Sequence, residues 1–148
     1  MIVRPVQSDH EWEIARQIRT TVFIIEQECP PEEEWDEYDE VSRHLLAWLD
    51  SEAIGVARWR TSSHNERVVA KLERFAILPP YRGQAYGREL IRQTMEDARR
   101  AGFEEQVVHA QAYLEDLYRD FGFVTEGETF MEAGIPHVKM VFVPRSDT

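Results

Sequence analysis

The chain has 148 residues, of which 43% are hydrophobic and 11% aromatic, so it can build one buried core, and we expect one domain over residues 1–148. Its 17 basic and 28 acidic residues give a net charge of −11, which argues against nucleic-acid binding because that function needs a basic surface. The absence of a run of 18 apolar residues and of a signal-peptide pattern predicts no membrane association, and the single Cys29 excludes an internal disulfide. We therefore expect a soluble, cytoplasmic protein.

The first half of the chain predicts one helix among several strands. Alternating residues at 2–6 predict a strand, and Ser8 is the expected N-cap of a helix whose apolar positions continue to Phe23. A hairpin is predicted from strands at 44–49 and 53–60, followed by a loop at 61–66. The next strand, 68–78, is long and alternates, which predicts that one of its faces carries Lys71, Glu73, Phe75 and Ile77.

Between the first helix and the hairpin lies a strongly acidic segment. From Glu26 to Glu40, nine of fifteen residues are acidic and none is basic. Such a run usually forms a solvated loop. The alternative is an acidic lip that attracts an amine.

The second half of the chain predicts two helices and three strands. An apolar stripe and an ion pair between Glu96 and Arg100 predict a helix at 87–101, which Gly102 ends. A strand at 106–111, a short helix at 113–121 and strands at 125–131 and 137–143 follow. Because single strands alternate with helices while other strands are consecutive, the fold class is α/β in the mixed α+β sense, with helices on both faces of a mixed sheet.

The turn between the long strand and the helix at 87–101 is a candidate phosphate site. Its sequence is Arg82-Gly83-Gln84-Ala85-Tyr86-Gly87. A helix N-terminus offers free N–H groups to an anion, glycine allows close approach of the backbone, and an arginine can bind phosphate oxygens. The turn has neither the Gly-Lys-Ser/Thr of a Walker loop nor the three glycines of a dinucleotide fingerprint. A plain strand–helix connection is therefore an equal alternative.

This turn resembles motif A of the GCN5-related N-acetyltransferases (GNAT), whose pattern is Arg/Gln-x-x-Gly-x-Gly/Ala. Here Arg82 and Gly87 match the pattern, and Ala85 replaces its first glycine. The strand end His109-Ala110-Gln111, together with Leu-Tyr-Arg-Asp-Phe-Gly-Phe at 117–123, resembles motif B of the same family. Segments 23–30 and 132–140 resemble its ElaA/YjcF-like branch. The resemblance covers nearly the whole chain.

The resemblance implies a single splayed-sheet domain that uses acetyl-CoA. In this family the strand before the loop splays from its neighbour and binds the pantetheine arm, here through Phe75, Ala76 and Ile77. The pyrophosphate lies on the backbone of the loop, here Arg82, Gly83, Gln84, Ala85, Tyr86 and Gly87. A side-chain amide at the end of the motif B strand, here Gln111, lies near the cofactor.

The resemblance also implies candidate catalytic residues. Tyr118 occupies the position of the family's general acid, although its place on an apolar stripe also fits a core aromatic residue. Glu73 is the candidate base, directly or through a water, and an ion-paired strand carboxylate is the alternative. His109 and His137 are further candidates for the base, each with a structural role as the alternative. Cys29 fits a buried thiol, and no metal is expected because no metal-ligand spacing occurs.

Two functions are compatible with these residues. The first is an enzyme that moves an acetyl group from acetyl-CoA directly to a primary amine, of a small molecule or a protein, through a ternary complex. The second is a non-catalytic acyl-CoA-binding module of the same fold. The exposed edges of such a sheet make a homodimer possible.

Overall fold

The computed structural model describes residues 1–144, whose strands form a seven-stranded sheet in the order β1-β2-β3-β4-β5-β7-β6. All neighbouring strands are antiparallel except β4 and β5, which are parallel, so the predicted mixed sheet is confirmed. The strands are β1 (Ile2–Pro5), β2 (Arg43–Leu49), β3 (Glu52–His64), β4 (Arg67–Ile77), β5 (Gln106–Gln111), β6 (Val124–Glu132) and β7 (Ile135–Phe142).

The helices follow the predicted order with one addition. The helix α1 (Asp9–Arg19) begins after Ser8, whose side chain accepts a hydrogen bond from the Glu11 amide, and it continues as a π-helical turn (Thr20–Glu26). The other helices are α2 (Pro31–Glu34), α3 (Tyr86–Arg100) and α4 (Glu115–Asp120). The short α2 lies inside the acidic segment, where only loop was predicted. Among the described residues, no helix is long and apolar enough to span a membrane.

One predicted loop is part of the sheet. Residues 61–64 continue β3, with Ser62 opposite Val69 and Ser63 opposite Val68. The β3–β4 turn therefore consists only of Asn65 and Glu66, both at positive φ. The polar sequence at 61–66 predicted a loop, but pairing with the long β4 determines the conformation there.

Helices cover both faces of the sheet, as predicted. On one face Ala15 and Ile18 of α1 pack with Val56 and Ala76. On the other face α3 and α4 pack in a larger cluster, whose members include Leu45, Leu72, Leu90, Ile91 and Tyr118. Each large apolar side chain buried in this way contributes about 1.5–3 kcal/mol. The two layers hold the long strand β4 from both sides.

The sheet is splayed between β4 and β5. These strands pair over only three positions, ending at Leu72 opposite Val108. Beyond that point residues 73–77 of β4 have no partner on the β5 side among the described residues. Their backbone groups therefore line a V-shaped opening, whose apex is the Leu72–Val108 pair.

A β-bulge at Arg74 changes which side chains share a face of β4. Arg58 lies opposite Glu73 but Val56 lies opposite Ala76, so the stretch between them holds one extra residue on β4. Arg74 has a φ of 58°. Phe75 consequently packs with the α3 and α4 cluster, whereas Glu73 bonds to Arg58 on the α1 side. The predicted common face is therefore wrong, because the bulge interrupts the alternation: Lys71 and Glu73 lie together on one face, and Phe75 and Ile77 lie together on the other.

Candidate active site

The opening between β4 and β5 forms a cleft of about 810 Å³. It is lined by predicted site residues from both sides, namely Glu73, Phe75, Ala76, Ile77, Arg82, Gln111 and Tyr118. Five other predicted residues follow Arg82 in the chain and are not in this lining, namely Gly83, Gln84, Ala85, Tyr86 and Gly87. A second groove, of about 510 Å³ beside His64 and Thr125, contains no predicted site residue.

The loop from Arg82 to Gly87 has the features of an anion site. Gly83 has a φ of 79°, and nothing lies within 4 Å of a Cβ placed on Gly83 or Gly87. Helix α3 follows this loop and, among the described residues, has no side-chain cap at its N-terminus. Its first amides are thus available to a bound anion. These observations fit a pyrophosphate on the loop backbone.

Ala85 takes a conformation that favours glycine. Its φ is 66°, in the left-handed region, and it is the N-cap of α3. A residue with a Cβ loses about 1–2 kcal/mol in this conformation. Glycine at this position of motif A adopts the left-handed conformation without that cost. With Ala85 the loop keeps the conformation, but the protein loses some stability.

Arg82 is held on both sides by protein groups. Its Nε donates to the Ile77 carbonyl oxygen at 2.9 Å, and its Nη2 donates to Glu26 Oε1 at 2.6 Å. Arg82 lowers the pKa of the Glu26 carboxyl. The side chain therefore fastens the loop to the end of β4 and to the π-helical turn.

Tyr118 combines the two roles that its sequence position allowed. Its ring packs between Phe75 and Phe123, with ring centroids 6.3 and 5.9 Å away. The residue is only 5% exposed, yet it lines the cleft. No hydrogen bond to its hydroxyl is present among residues 1–144, and burial raises its pKa far above the usual range. The hydroxyl is thus protonated at neutral pH and can donate a hydrogen bond to a ligand atom.

Glu73 is surrounded by cations on the α1 side of the sheet. Arg58 binds one carboxylate oxygen through a short ion pair, and Arg60 Nε donates to the other at 3.0 Å. Lys71 Nζ lies 3.5 Å away. Burial by itself raises the pKa of Glu73, but the three cations outweigh burial and lower it. The carboxylate is therefore firmly ionised, which weakens it as a proton acceptor.

Part of the acidic segment folds onto three arginines. The ion pairs join Arg19 to Glu34 (2.7 Å) and Asp39 (2.6 Å), Arg58 to Asp36 (2.7 Å) and Asp39 (2.9 Å), and Arg74 to Asp36 (3.1 Å) and Glu34 (3.2 Å). The segment is thus neither wholly solvated nor wholly available to a cationic ligand. Sequence analysis missed these arginines. The available signal was that Arg19 lies at a core position of α1 and Arg58 in a buried strand, where a charge needs a partner.

Two histidines meet a carboxylate at the other edge of the cleft. His137 Nδ1 lies 2.7 Å from the Ile135 carbonyl oxygen, so Nδ1–H is the donor there, and its Nε2 lies 3.6 Å from Glu132 Oε2. His109 Nδ1 is 3.4 Å from Glu132 Oε1 and lowers the pKa of that carboxyl. In this tautomer the Nε2 lone pair of His137 can accept a proton.

Two further polar residues complete the lining. Gln111 Nε2 donates to Gln27 Oε1 at 3.4 Å, a long bond that joins the two sides of the cleft. Burial and the carboxylate of Glu34 raise the pKa of Cys29, so it is a thiol rather than a nucleophilic thiolate. In the part of the chain that the structure describes, no group of three or more His, Cys, Asp or Glu could hold a metal ion.

Comparison with known proteins gives matches over nearly the whole chain. A family model for an acetyltransferase (GNAT) domain matches residues 13–143. The chain is 32% identical over 126 residues to the protein ElaA of Escherichia coli (strain K12), covering 84% of this chain and 82% of ElaA. It is 30% identical over 125 residues to the N-acetyltransferase YjcF of Bacillus subtilis (strain 168), covering 84% and 86%.

Solved structures share the fold. An acyl-CoA N-acyltransferase from Pseudomonas aeruginosa superposes with a TM-score of 0.84 at 29% identity, covering 96% of this chain and 97% of that chain. A GNAT family acetyltransferase from Elizabethkingia anophelis with acetyl-CoA bound superposes with a TM-score of 0.67 at 14% identity, covering 97% of both chains. The chain therefore shares its overall fold with an acyl-CoA N-acyltransferase and with an acetyltransferase that has acetyl-CoA bound.

Proposed function

The chain belongs to the GNAT acetyltransferase family, and we propose that it transfers the acetyl group of acetyl-CoA directly to a primary amine bound in the same cleft. The observation that carries this proposal is the splay of β4 from β5, with the uncapped loop at its open end and Tyr118 in its wall. In the reaction the amine nitrogen attacks the thioester carbonyl carbon, a C–N bond forms, and the C–S bond breaks. The proton lost by the amine is balanced by the proton that the leaving thiolate gains.

Acetyl-CoA is proposed to lie along the unpaired edge of β4. Phe75, Ala76 and Ile77 offer the backbone for the pantetheine arm, and the amides of residues 82–87 offer donors for the pyrophosphate. Gln111 lies on the opposite side of the opening. A structural neighbour that has acetyl-CoA bound supports this use of the fold.

Tyr118 is proposed as the general acid that protonates the leaving thiolate. Its hydroxyl has no hydrogen-bond partner among residues 1–144, lies in the cleft lining and stays protonated because burial raises its pKa. A hydroxyl so placed is free to bond to a ligand atom. The ring contacts with Phe75 and Phe123 fix its direction.

Glu73 and His137 are the two proposed bases, and their surroundings differ. The alkylammonium form of an amine has a pKa of about 10.4 and must lose a proton before it can attack. Glu73 already binds three cations, which reduces its affinity for a proton. His137 has its Nε2 lone pair at the edge of the cleft, 3.6 Å from Glu132 Oε2. These contacts favour His137 as the base. Glu73 then serves to hold in place the cations that surround Glu73 itself.

The experiment measures binding and turnover separately. Thermal shift with acetyl-CoA tests the cofactor site, and release of free thiol with a panel of primary amines tests catalysis. We expect stabilisation by acetyl-CoA and thiol release that depends on an amine. Stabilisation without turnover on any amine would favour the alternative, a non-catalytic acyl-CoA-binding module. Absence of stabilisation would exclude both.

A further inference from the structure

The α1 side of the cleft carries one more positive than negative charge in its central ion-pair network. The cations are Arg19, Arg58, Arg60, Lys71 and Arg74, and the carboxylates bound to them are Glu34, Asp36, Asp39 and Glu73. Five cations thus share four carboxylates. Three carboxylates of the acidic segment, those of Glu34, Asp36 and Asp39, are neutralised by arginines from outside the segment.

The excess charge is located at Arg60 and Lys71. Arg19, Arg58 and Arg74 each contact at least two carboxylates, whereas Arg60 and Lys71 have only Glu73 within ion-pair distance among the described residues. Arg60 uses only its Nε, so Nη1 and Nη2 form no hydrogen bond within residues 1–144. Lys71 Nζ forms none there either, since its contact with Glu73 is 3.5 Å long.

These two cations are neighbours in the cleft lining. Arg60 on β3 lies directly opposite Lys71 on β4, and their side chains are 13% and 16% exposed. The Tyr38 ring lies 3.7 Å from the Arg60 guanidinium and fixes its plane. Two partly buried cations with unused donors, aimed into one cleft, form a site for an anionic group.

The pyrophosphate loop is too far away to supply that anion. Lys71 precedes the last β4–β5 pair, at the apex of the opening, whereas the loop begins beyond Ile77. Six residues of extended strand separate Lys71 from Ile77, which is about 20 Å. A phosphate on the loop amides therefore cannot also contact Lys71. An anion bound by Arg60 and Lys71 would therefore come from the other substrate.

We propose that Arg60 and Lys71 bind a carboxylate of the acceptor, so that the acceptor is a small molecule with both an amine and a carboxylate, as in a free amino acid. This inference rests on the proposed acetyl transfer. Glu73 Oε1 contacts both Arg60 and Lys71 and so neutralises part of their charge, and the acceptor carboxylate binds the donors that Glu73 leaves unused. Across the cleft, Glu132 lies beside His109 and His137, and Tyr113 and Tyr118 are further titratable side chains of the lining. The negative charge of Glu132 attracts the positively charged amine of the acceptor to that edge of the cleft.

The test compares acceptors that differ only in the carboxylate. L-phenylalanine, L-leucine and L-glutamine are titrated by calorimetry into the CoA-loaded protein, each against its α-carboxamide, and both series are assayed for thiol release with acetyl-CoA. We expect at least one amino acid to bind about tenfold more tightly than its carboxamide. Arg60→Gln and Lys71→Gln should each remove that preference while the affinity for CoA stays unchanged.

The matched control is Arg67→Gln. Arg67 is on the same strand, is exposed, pairs with Glu105 and lies outside this cleft, so its loss should leave the carboxylate preference intact. Amino acids that bind no better than their carboxamides, or not at all, would overturn the proposal, as would variants that weaken CoA binding as much as acceptor binding. Failure of acetyl transfer itself is distinguishable, because it appears as absence of CoA binding or of thiol release with every amine.

Discussion

Glu26 and Arg82 form an ion pair across the mouth of the cleft, with Arg82 Nη2 2.6 Å from Glu26 Oε1. The pair joins the π-helical turn after α1 to the loop before α3. Arg82 lowers the pKa of Glu26, so the carboxylate is charged at neutral pH. A negative charge thus lies at the start of the loop that is proposed to hold an anion.

Removal of that charge should strengthen cofactor binding. We expect Glu26→Gln to raise the affinity for CoA by about threefold to tenfold at low ionic strength, with a smaller gain at high salt because the effect is electrostatic. Calorimetry at two salt concentrations measures this change. Glu28→Gln is the control, since Glu28 is exposed and no ion pair to it occurs within residues 1–144. A lower affinity in Glu26→Gln would mean that the ion pair organises the loop for binding.

Tyr118→Phe should separate catalysis from cofactor binding. Loss of a general acid typically lowers turnover by about 100-fold or more, whereas the buried ring still packs against Phe75 and Phe123. We therefore expect kcat to fall by about 100-fold, with the Kd for acetyl-CoA changed by less than about twofold. Tyr81→Phe is the control, because Tyr81 bonds to Glu52 outside the cleft. Equal losses in kcat and affinity would make Tyr118 a packing or binding residue.

The pH dependence of kcat/KM should distinguish the two proposed bases. In His137→Gln the low-pH limb that reports protonation of the base is expected to disappear, together with a loss of about 100-fold in kcat/KM at the optimum. In Glu73→Gln the limb should persist, because its cationic neighbours lower the pKa of Glu73 and keep it ionised. Persistence of the limb in His137→Gln and its loss in Glu73→Gln would reverse the assignment.

Local sequence patterns were sufficient to predict much of the fold. The N-cap at Ser8, the helix before Gly102 and the short helix before Gly122 depend on neighbouring residues, and each lies where it was predicted. The resemblance supplied the splay between β4 and β5, which periodicity alone could not indicate. The loop at 82–87 was ambiguous by itself, and its place at the open end of that splay makes the anion site the better interpretation.

Two features of the site depend on distant residues and could not be predicted. The bulge at Arg74 depends on the register between β3 and β4, and no glycine at this position indicates it in the sequence. The ion pairs of Arg19 with Glu34 and Asp39 join residues fifteen and twenty positions apart. Composition indicated only that the acidic segment carried charge. The fold determines which carboxylates pair with arginines. It therefore also determines that Arg60 and Lys71 keep unused hydrogen-bond donors.

Ala85→Gly tests the conformational cost in the loop. Ala85 has a φ of 66°, which costs about 1–2 kcal/mol, while glycine adds about 0.4–1 kcal/mol of entropy to the unfolded chain. We expect a variant that is more stable by up to about 1 kcal/mol in urea unfolding. Ala101→Gly is the control, since Ala101 has a φ of −79° and should lose about 0.5–1 kcal/mol. Equal destabilisation of both variants would show that Ala85 is unstrained.

Asp39 should contribute to the acid sensitivity of the ion-pair network. Its Oδ1 accepts bonds from Arg19 at 2.6 Å and Arg58 at 2.9 Å. Burial raises its pKa, but the two arginines outweigh burial and lower it below the ordinary value of 3.8. A carboxylate with a lowered folded-state pKa stabilises the protein above its unfolded pKa, and this stabilisation is lost as the pH falls through the folded-state value.

Asp39→Asn should therefore cost about 3 kcal/mol in the free energy of unfolding at pH 7, because Arg19 and Arg58 lose their shared anion. The cost should begin to shrink when urea unfolding is repeated below the ordinary pKa of 3.8, and it should be lost as the pH falls through the lower folded-state pKa of Asp39. Glu40→Gln is the control, since Glu40 is the exposed neighbour and should change the stability by less than about 0.5 kcal/mol. A cost in Asp39→Asn that is the same at both pH values would mean that the aspartate stabilises by hydrogen bonding without its charge.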